Sequence, residues 1–276
     1  MRLKIPVVDA LALLDLAVGA ARSAGELLLE RFAGPAAGVT SKSSPTDLVS
    51  DADLSSQELL LGLIRAERPD DGMLSEEGTD DASRTGLRWV IDPLDGTTNF
   101  LFGIPVWSVS VAVEDSQGGV AGVVHDPNRG ETFTAARASG AHLNGEPIGV
   151  RDKGHAPTAL VGTGFSYDAG ARAVQADVLR RVLPEVRDIR RAGSLAIDLC
   201  YVACGRMDGF FESVVGHYDK AAGELIVAEA GGTVSYFDSP EKGAVGVIAA
   251  GPSLHGQLEA LVLGGASQAK EVPQWT

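Results

Sequence analysis

The stretch WVIDPLDGTTNF, residues 89–100, is the part of this sequence that says most about its fold. It begins as an apolar strand, residues 89–91, and then places two carboxylates, Asp92 and Asp95, on either side of a Pro-Leu pair. The segment Gly96-Thr97-Thr98 follows at once. A strand that only fills a core needs neither acidic residues nor a glycine at its end. The stretch therefore predicts a functional turn after a buried strand.

The chain is long and acidic. It has 276 residues, with 23 basic and 37 acidic side chains and a net charge of −14. No linker or repeat divides it, so we predict a single domain over residues 1–276 that could form two lobes, about 1–150 and 151–276. Because an acidic surface repels nucleic acid and anionic lipid, we expect neither as a partner. A small anionic substrate would need bound cations.

The beginning of the chain does not read as a signal peptide. Asp9 and Asp15 interrupt its apolar stretch, and no segment approaches the roughly 18 apolar residues of a membrane helix. Cys200 and Cys204, four residues apart in a predicted helix, are interpreted as small core residues rather than as a disulfide or metal pair. A cytoplasmic protein is the prediction.

Hydrophobic periodicity predicts alternating layers. Apolar residues at three- and four-residue steps indicate a first helix from Val8 to Phe32 and a second near 51–66, whose apolar side includes Leu54. Strands are predicted at 88–91, 107–113, 120–125, 131–136 and 140–143. Strands and helices then alternate at 158–162, 171–183, 187–190, 194–204, 208–212, 219–229, 245–249 and 253–263. This order predicts stacked helices and sheets, α/β or α+β.

Five acidic residues stand at predicted element ends: Asp53, Glu76, Asp92, Asp95 and Asp219. If several converge, each pair about 4 Å apart repels by about 4 kcal/mol at an effective dielectric constant near 20. Either they stay apart, or cations lie between them. Oxygen ligands with no nearby His or Cys favour magnesium or manganese over zinc.

The segment Gly96-Thr97-Thr98 adds a site for an anion, because consecutive backbone N–H groups at a turn form a concavity for phosphate. Carboxylate-bound metals beside such a concavity are typical of metal-assisted phosphoryl transfer. Simpler interpretations stay open for each residue alone. An aspartate before Gly or Thr often caps a turn or a helix, and Glu76 could belong to a solvated loop.

Residues 89–100 resemble the first signature of the inositol monophosphatase family, the magnesium-dependent, lithium-sensitive phosphomonoesterases. The segment HYDKAAG, residues 217–223, resembles the second signature. Four further segments match in order: 42–53, 75–77, 162–165 and 191–194. The resemblance covers nearly the whole chain and implies the sugar-phosphatase fold, a layered αβαβα sandwich of the α/β (α+β) class. Departures from the family pattern are Ser75, Ser166, Leu195 and Tyr218.

The resemblance implies a ligand set for two to three Mg²⁺ ions, with Mn²⁺ as a possible substitute. Glu76, Asp92 and the backbone carbonyl of Leu94 would bind the first metal. Asp92, Asp95 and Asp219 would bind the second, so that Asp92 bridges the two. A third, weaker ion would use Glu76 and mostly water.

The resemblance also implies catalytic and substrate-binding roles. Thr97 would orient an attacking water that the metals activate, and Asp53 would hold the Thr97 hydroxyl. Lys42 would lie near the phosphate, and Glu76 would serve both metal binding and catalysis. The residues implied to bind substrate are Asp95, Gly96, Thr97, Thr98, Gly193, Ser194, Glu212 and Asp219.

The activity implied in this way is Mg²⁺-dependent hydrolysis of phosphomonoesters, with myo-inositol monophosphate as the leading substrate. Histidinol phosphate, fructose 1,6-bisphosphate, other sugar phosphates and 3′-phosphoadenosine compounds stay open as alternatives. A non-catalytic regulator or scaffold that keeps the fold is the alternative from another class. By the same resemblance we expect a homodimer.

Overall fold

A computed structural model describes residues 7–32, 38–41, 48–239 and 245–264, with side chains from residue 10 onward. An outer layer contains two helices, α1 (Val7–Phe32) and α2 (Asp51–Glu67). A capping box starts α2, because the Ser50 hydroxyl accepts a hydrogen bond from the Ala52 N–H at 3.2 Å and the Asp53 carboxylate accepts one from the Ser50 N–H at 2.8 Å. Both helices were predicted. Placing Leu54 on the buried side was wrong, since its side chain is 50% exposed.

The first sheet has eight strands in the order β10-β9-β8-β7-β6-β5-β3-β4. Their bounds are β3 (Gly72–Ser75), β4 (Asp80–Asp81), β5 (Arg88–Asp95), β6 (Ser108–Asp115), β7 (Gly118–Asp126), β8 (Glu131–Ala136), β9 (Ala141–Leu143) and β10 (Glu146–Ile148). All neighbours are antiparallel except β3 and β5. A separate short ladder pairs β1 (Thr40–Ser41) with β2 (Leu48–Val49).

The second sheet has five strands in the order β12-β11-β13-β15-β14. These strands are β11 (Leu160–Thr163), β12 (Asp188–Arg190), β13 (Gly209–Val215), β14 (Thr233–Asp238) and β15 (Val245–Ala250). The remaining helices are α3 (Thr97–Leu101), α4 (Ala169–Val182), α5 (Leu195–Ala203), α6 (His217–Glu229) and α7 (Pro252–Leu263). Because β11 runs parallel to β12 and β13, α4 and α5 serve as crossover connections in this half.

Three apolar clusters hold five layers together. One lies between the outer helices and the first sheet, the second surrounds α5 and α6 between the two sheets, and the third lies between the second sheet and α4 and α7. In the middle layer, a Cβ at Gly223 would come within 2.6 Å of Leu199, so glycine permits the close approach of α6 to α5. The predicted αβαβα sandwich is confirmed. No helix within the described ranges is long and apolar enough to cross a bilayer.

Arg206 ties the turn after α5 to the first sheet. Its guanidinium donates two hydrogen bonds of 2.6 Å to the Glu131 carboxylate and lies 5.0 Å from the centre of the Tyr201 ring. These bonds hold the pKa of Glu131 below its ordinary value of 4.5. A lowered folded-state pKa adds stability above the unfolded-state pKa, and this stability is lost as the pH falls through the folded-state value.

Glu131→Gln is therefore expected to lower the free energy of unfolding by about 0.5–1 kcal/mol at pH 7, a modest value because the Arg206 side chain is 39% exposed. The deficit should shrink as the pH falls below 4.5. Urea denaturation across that range measures it, with exposed Glu146→Gln as the control. A deficit that stays constant with pH would mean that the ion pair is not its source.

Candidate active site

An irregularity in β5 positions the two aspartates of the opening stretch. Asp92 lies opposite Ser110 on β6 and Asp95 opposite Ser108, so β5 uses one more residue than its partner between these pairs. Pro93 falls in this bulge, where it has no N–H to give to the ladder. The Leu94 N–H instead donates to the Asp92 carboxylate at 3.0 Å. The bulge keeps both carboxylates buried, with exposures of 1% for Asp92 and 8% for Asp95.

Gly96 turns the chain from β5 into α3. It has a φ of 99°, and a Cβ there would lie 3.0 Å from the Val106 carbonyl oxygen and 3.2 Å from that of Gly193. Both the left-handed backbone and the close approach therefore require glycine at this position. The turn brings the loop before α5 against the start of α3.

Thr97 and Asp53, which the family resemblance pairs, form a buried hydrogen bond. The Thr97 hydroxyl lies 2.9 Å from the Asp53 carboxylate and 3.1 Å from the Leu94 carbonyl oxygen, and its one proton can serve either acceptor. Asp53 also accepts hydrogen bonds from the backbone N–H and the hydroxyl of Ser50, at 2.8 and 2.7 Å. These bonds fix the carboxylate and, through it, the orientation of Thr97.

Four carboxyl groups converge at the end of β5. Burial raises the pKa of Asp92 well above its ordinary value of 3.8, and the charges of Glu76, Asp95 and Asp219 raise it further. The close approach of the Glu76 carboxyl adds to the rise in the Asp92 pKa. In α6, Asp219 accepts the Gly216 N–H at 2.6 Å, which fixes it in the first turn of the helix.

Asp95 contacts the beginning of α5. Its carboxylate accepts the Ser194 hydroxyl at 2.5 Å, the Ala196 N–H at 2.8 Å and the Leu195 N–H at 3.2 Å. Burial raises the pKa of Asp95, and these hydrogen bonds oppose the rise. A negative charge at a helix N-terminus is also favoured by the helix dipole.

The donor chemistry of this cluster fits a hard divalent cation, because the side chains offer oxygen alone and repel one another without a cation. Across the described ranges, however, no three Asp, Glu, His or Cys side chains stand in a ready ligating arrangement. Asp95 directs both of its oxygens toward α5. Each carboxylate keeps lone pairs that its hydrogen bonds do not use and that are available to a cation. The ligand set stays a prediction.

Apart from Asp95, the residues predicted to face the alcohol portion of the substrate come from the second half of the chain. Gly193 has a φ of 100°, and a Cβ there would lie 2.7 Å from the Asn99 amide nitrogen. Glu212 lies on β13 against Gly164, where any Cβ would overlap its carboxylate. Burial raises the pKa of Glu212 well above its ordinary value, and the Asp219 charge adds to the rise. The structure thus brings Glu212 into the electrostatic surroundings of the metal-ligand candidates.

Several residues near the site were missed from the sequence. The Asn99 amide donates to the carbonyl oxygens of Val106 and Ala192, at 2.8 and 2.9 Å, and so joins the loop after α3 to the loop before α5. The Tyr167 hydroxyl lies close to Thr98, one of the predicted substrate-binding residues, and this proximity opposes the rise that burial gives to the pKa of Tyr167. No spacing rule could have identified the contacts of Asn99 with Ala192 and of Tyr167 with Thr98, because they join distant parts of the chain. Predicted Lys42 lies outside the described residues.

Comparison with known proteins places the chain in a family. The model of the inositol monophosphatase family matches residues 9–270. The inositol-1-monophosphatase SuhB of Mycobacterium tuberculosis is 42% identical over 231 residues, which cover 80% of this chain and 79% of that protein. The Nus factor SuhB of Pasteurella multocida is 40% identical over 228 residues, which cover 82% of this chain and 85% of the relative.

Solved structures agree with the sequence comparisons. The extragenic suppressor protein suhB of Bartonella henselae superposes with a TM-score of 0.85 at 36% identity, over 92% of this chain and 99% of that one. An inositol monophosphatase from Anabaena gives a TM-score of 0.81 at 30% identity, over 97% of this chain and 100% of that one. The chain belongs to the inositol monophosphatase family. Membership supports phosphomonoesterase activity, and the family is in general metal-dependent.

Proposed function

We propose that the chain is a Mg²⁺-dependent phosphatase that hydrolyses myo-inositol monophosphate to inositol and phosphate. One observation carries the proposal: the carboxyl of Asp92 is buried among those of Glu76, Asp95 and Asp219. That cluster adjoins the Thr97–Asp53 pair, because the Leu94 carbonyl lies 3.1 Å from the Thr97 hydroxyl and the Leu94 N–H contacts Asp92. A group of buried acids that repel one another is costly unless a cation or protons neutralise it.

Magnesium bound by these acids would neutralise the phosphate and lower the pKa of the attacking water. Thr97 would orient that water. When the Thr97 hydroxyl donates its proton to Asp53, its oxygen can accept a hydrogen bond from the attacking water. The Ser50 hydroxyl in turn holds Asp53 in place. Attack by water in line with the departing alcohol then needs no phosphoenzyme.

The alcohol portion of the substrate would lie on the side of α5 and β13. Ser194 and Glu212 there offer a hydroxyl and a carboxyl as partners for polyol hydroxyl groups, and Asp95 links Ser194 to the metal-ligand candidates. An array of hydrogen-bonding groups favours a polyhydroxylated alcohol over an apolar one, because an unmatched buried polar group is costly. This favours inositol as the leaving alcohol over an apolar alcohol.

A panel of phosphomonoesters tests the proposal. With Mg²⁺, we expect phosphate release from myo-inositol 1-phosphate with a higher kcat/KM than from histidinol phosphate, fructose 1,6-bisphosphate or a 3′-phosphoadenosine compound, and inhibition by lithium. A preference for another of these compounds would replace the substrate and keep the phosphatase. No turnover of any of them would refute the enzymatic proposal.

A role in transcription is the second candidate, because one set of close relatives carries the name Nus factor SuhB. The net charge of −14 still disfavours direct nucleic-acid binding, so such a role would run through protein partners. Binding to purified bacterial RNA polymerase tests it. A chain that binds the polymerase but hydrolyses no phosphomonoester would make this the primary function.

We also infer a homodimer from the family resemblance alone, which light scattering can measure. A location in the cytoplasm, the division into lobes and the role of Lys42 stay predictions.

A further inference from the structure

One face of α2 contacts every segment that supplies a metal-ligand candidate from the first half of the chain. Asp53, Ser56 and Gln57 are three and four residues apart, so their side chains lie on the same side of the helix. Asp53 bonds to Thr97, which follows the β5 bulge. Ser56 and Gln57 have no role in the function proposed above, although they contact the two other segments.

Ser56 bonds to the bulge itself. Its hydroxyl donates to the Pro93 carbonyl oxygen at 2.7 Å, and its side chain is fully buried. Pro93 lies between Asp92 and Leu94. The Asp92 side chain and the Leu94 carbonyl are both candidate ligands of the first metal. The hydrogen bond therefore fixes the peptide whose rotation would move both candidate ligands.

Gln57 holds the loop on both sides of Glu76. Its amide oxygen accepts hydrogen bonds from the Ser75 hydroxyl and from the Glu77 N–H, the latter at 3.2 Å. Its amide nitrogen donates to the Glu77 carbonyl oxygen at 3.3 Å. The Glu76 N–H donates to the Ile91 carbonyl of β5 at 3.2 Å, so Glu76 is fixed between α2 and β5.

We propose that Ser56 and Gln57 are positioning residues that set the separation of Glu76 and Asp92 and thereby the affinity for the divalent cation. The two residues reach the two ligands from adjacent positions on one rigid helix. Because Ser56 and Gln57 are adjacent on this helix, their hydrogen bonds hold the Glu76 loop and the β5 bulge at a fixed distance from each other. The inference rests on the proposed function, because it assumes that these carboxylates bind a metal.

Ser56→Ala and Gln57→Ala test the proposal, with Ser55→Ala as the matched control. Ser55 is the neighbour of Ser56 on α2, and its hydroxyl donates to the Asp51 carbonyl oxygen of the same helix at 2.6 Å. Free Mn²⁺, followed by electron paramagnetic resonance without substrate, measures metal binding. We expect the dissociation constant for Mn²⁺ to rise about tenfold or more in each test variant and to stay within about twofold of wild type in the control.

A structural role alone would lower the thermal midpoint in EDTA and leave the Mn²⁺ dissociation constant unchanged. Under the proposal, raising the metal concentration should also restore kcat toward the wild-type value. Wild-type Mn²⁺ affinity in Gln57→Ala, whose side chain is only half-buried, would overturn the proposal even if Ser56→Ala fails to fold. If the wild type hydrolyses phosphomonoesters but the variants bind Mn²⁺ normally, this inference fails alone. If the wild type binds no Mn²⁺, this inference fails, and the phosphatase proposal fails with it only if phosphate release with Mg²⁺ is also absent.

Discussion

Asp92→Asn should lower the rate of phosphate release at saturating Mg²⁺ by about a thousandfold or more, while the folded protein becomes more stable in EDTA. The activity falls because the variant loses a charged ligand expected to bridge two cations. Stability rises because Asp92 is buried and its charge is disfavoured by those of Glu76, Asp95 and Asp219. Steady-state kinetics and thermal unfolding in EDTA measure the two effects.

Asp71→Asn provides the matched control, since Asp71 is a buried aspartate that has a cationic partner. Burial alone would raise its pKa, but hydrogen bonds from Arg68, Thr85 and Trp89 lower it overall. Its replacement should therefore destabilise the protein, by about 1–2 kcal/mol at pH 7 because the Arg68 side chain is 36% exposed, and leave kcat close to wild type. An Asp92→Asn variant that is fully active would contradict the bridging role.

Thr97→Val is expected to lower kcat by about a hundredfold or more and to change KM by only a few-fold. The substitution keeps the shape of the side chain but removes the hydroxyl that bonds to Asp53 and would orient the attacking water. Thr97→Ser restores a hydroxyl at the same position and should recover most of the rate. Kinetics of both variants at saturating Mg²⁺ make the comparison.

An equal loss in Thr97→Ser, which keeps the hydroxyl and lacks only the methyl group, would assign the effect to packing at the start of α3 and not to the hydroxyl. Wild-type kcat in Thr97→Val would remove Thr97 from the catalytic group altogether.

The long periodic elements of the fold could be predicted from the sequence. The repeat of apolar residues located α1 and α2, and the alternation after Trp107 located β6. The strands β3 and β14 were missed. The first has four residues, too few to show a period, and β14 is half-buried along most of its length, without a clear apolar face.

Part of the candidate site could be predicted from local sequence. Asp92, Asp95 and Thr97 lie within one short motif, so local sequence was enough to connect them. The contact of Ser194 with Asp95 joins residues 99 positions apart, and the contact of Ser56 with Pro93 depends on how α2 lies on β5. Such contacts follow from packing between layers, which periodicity does not determine.

The most direct test of the central claim is the Mg²⁺ dependence of phosphate release from myo-inositol 1-phosphate by wild-type protein treated with EDTA. We predict no release after EDTA treatment and a saturable return of activity as Mg²⁺ is added. The reason is that the buried carboxylates would repel the phosphate unless cations are bound between them and it. Release that persists unchanged in excess EDTA, or that is absent at every Mg²⁺ concentration, would contradict the account.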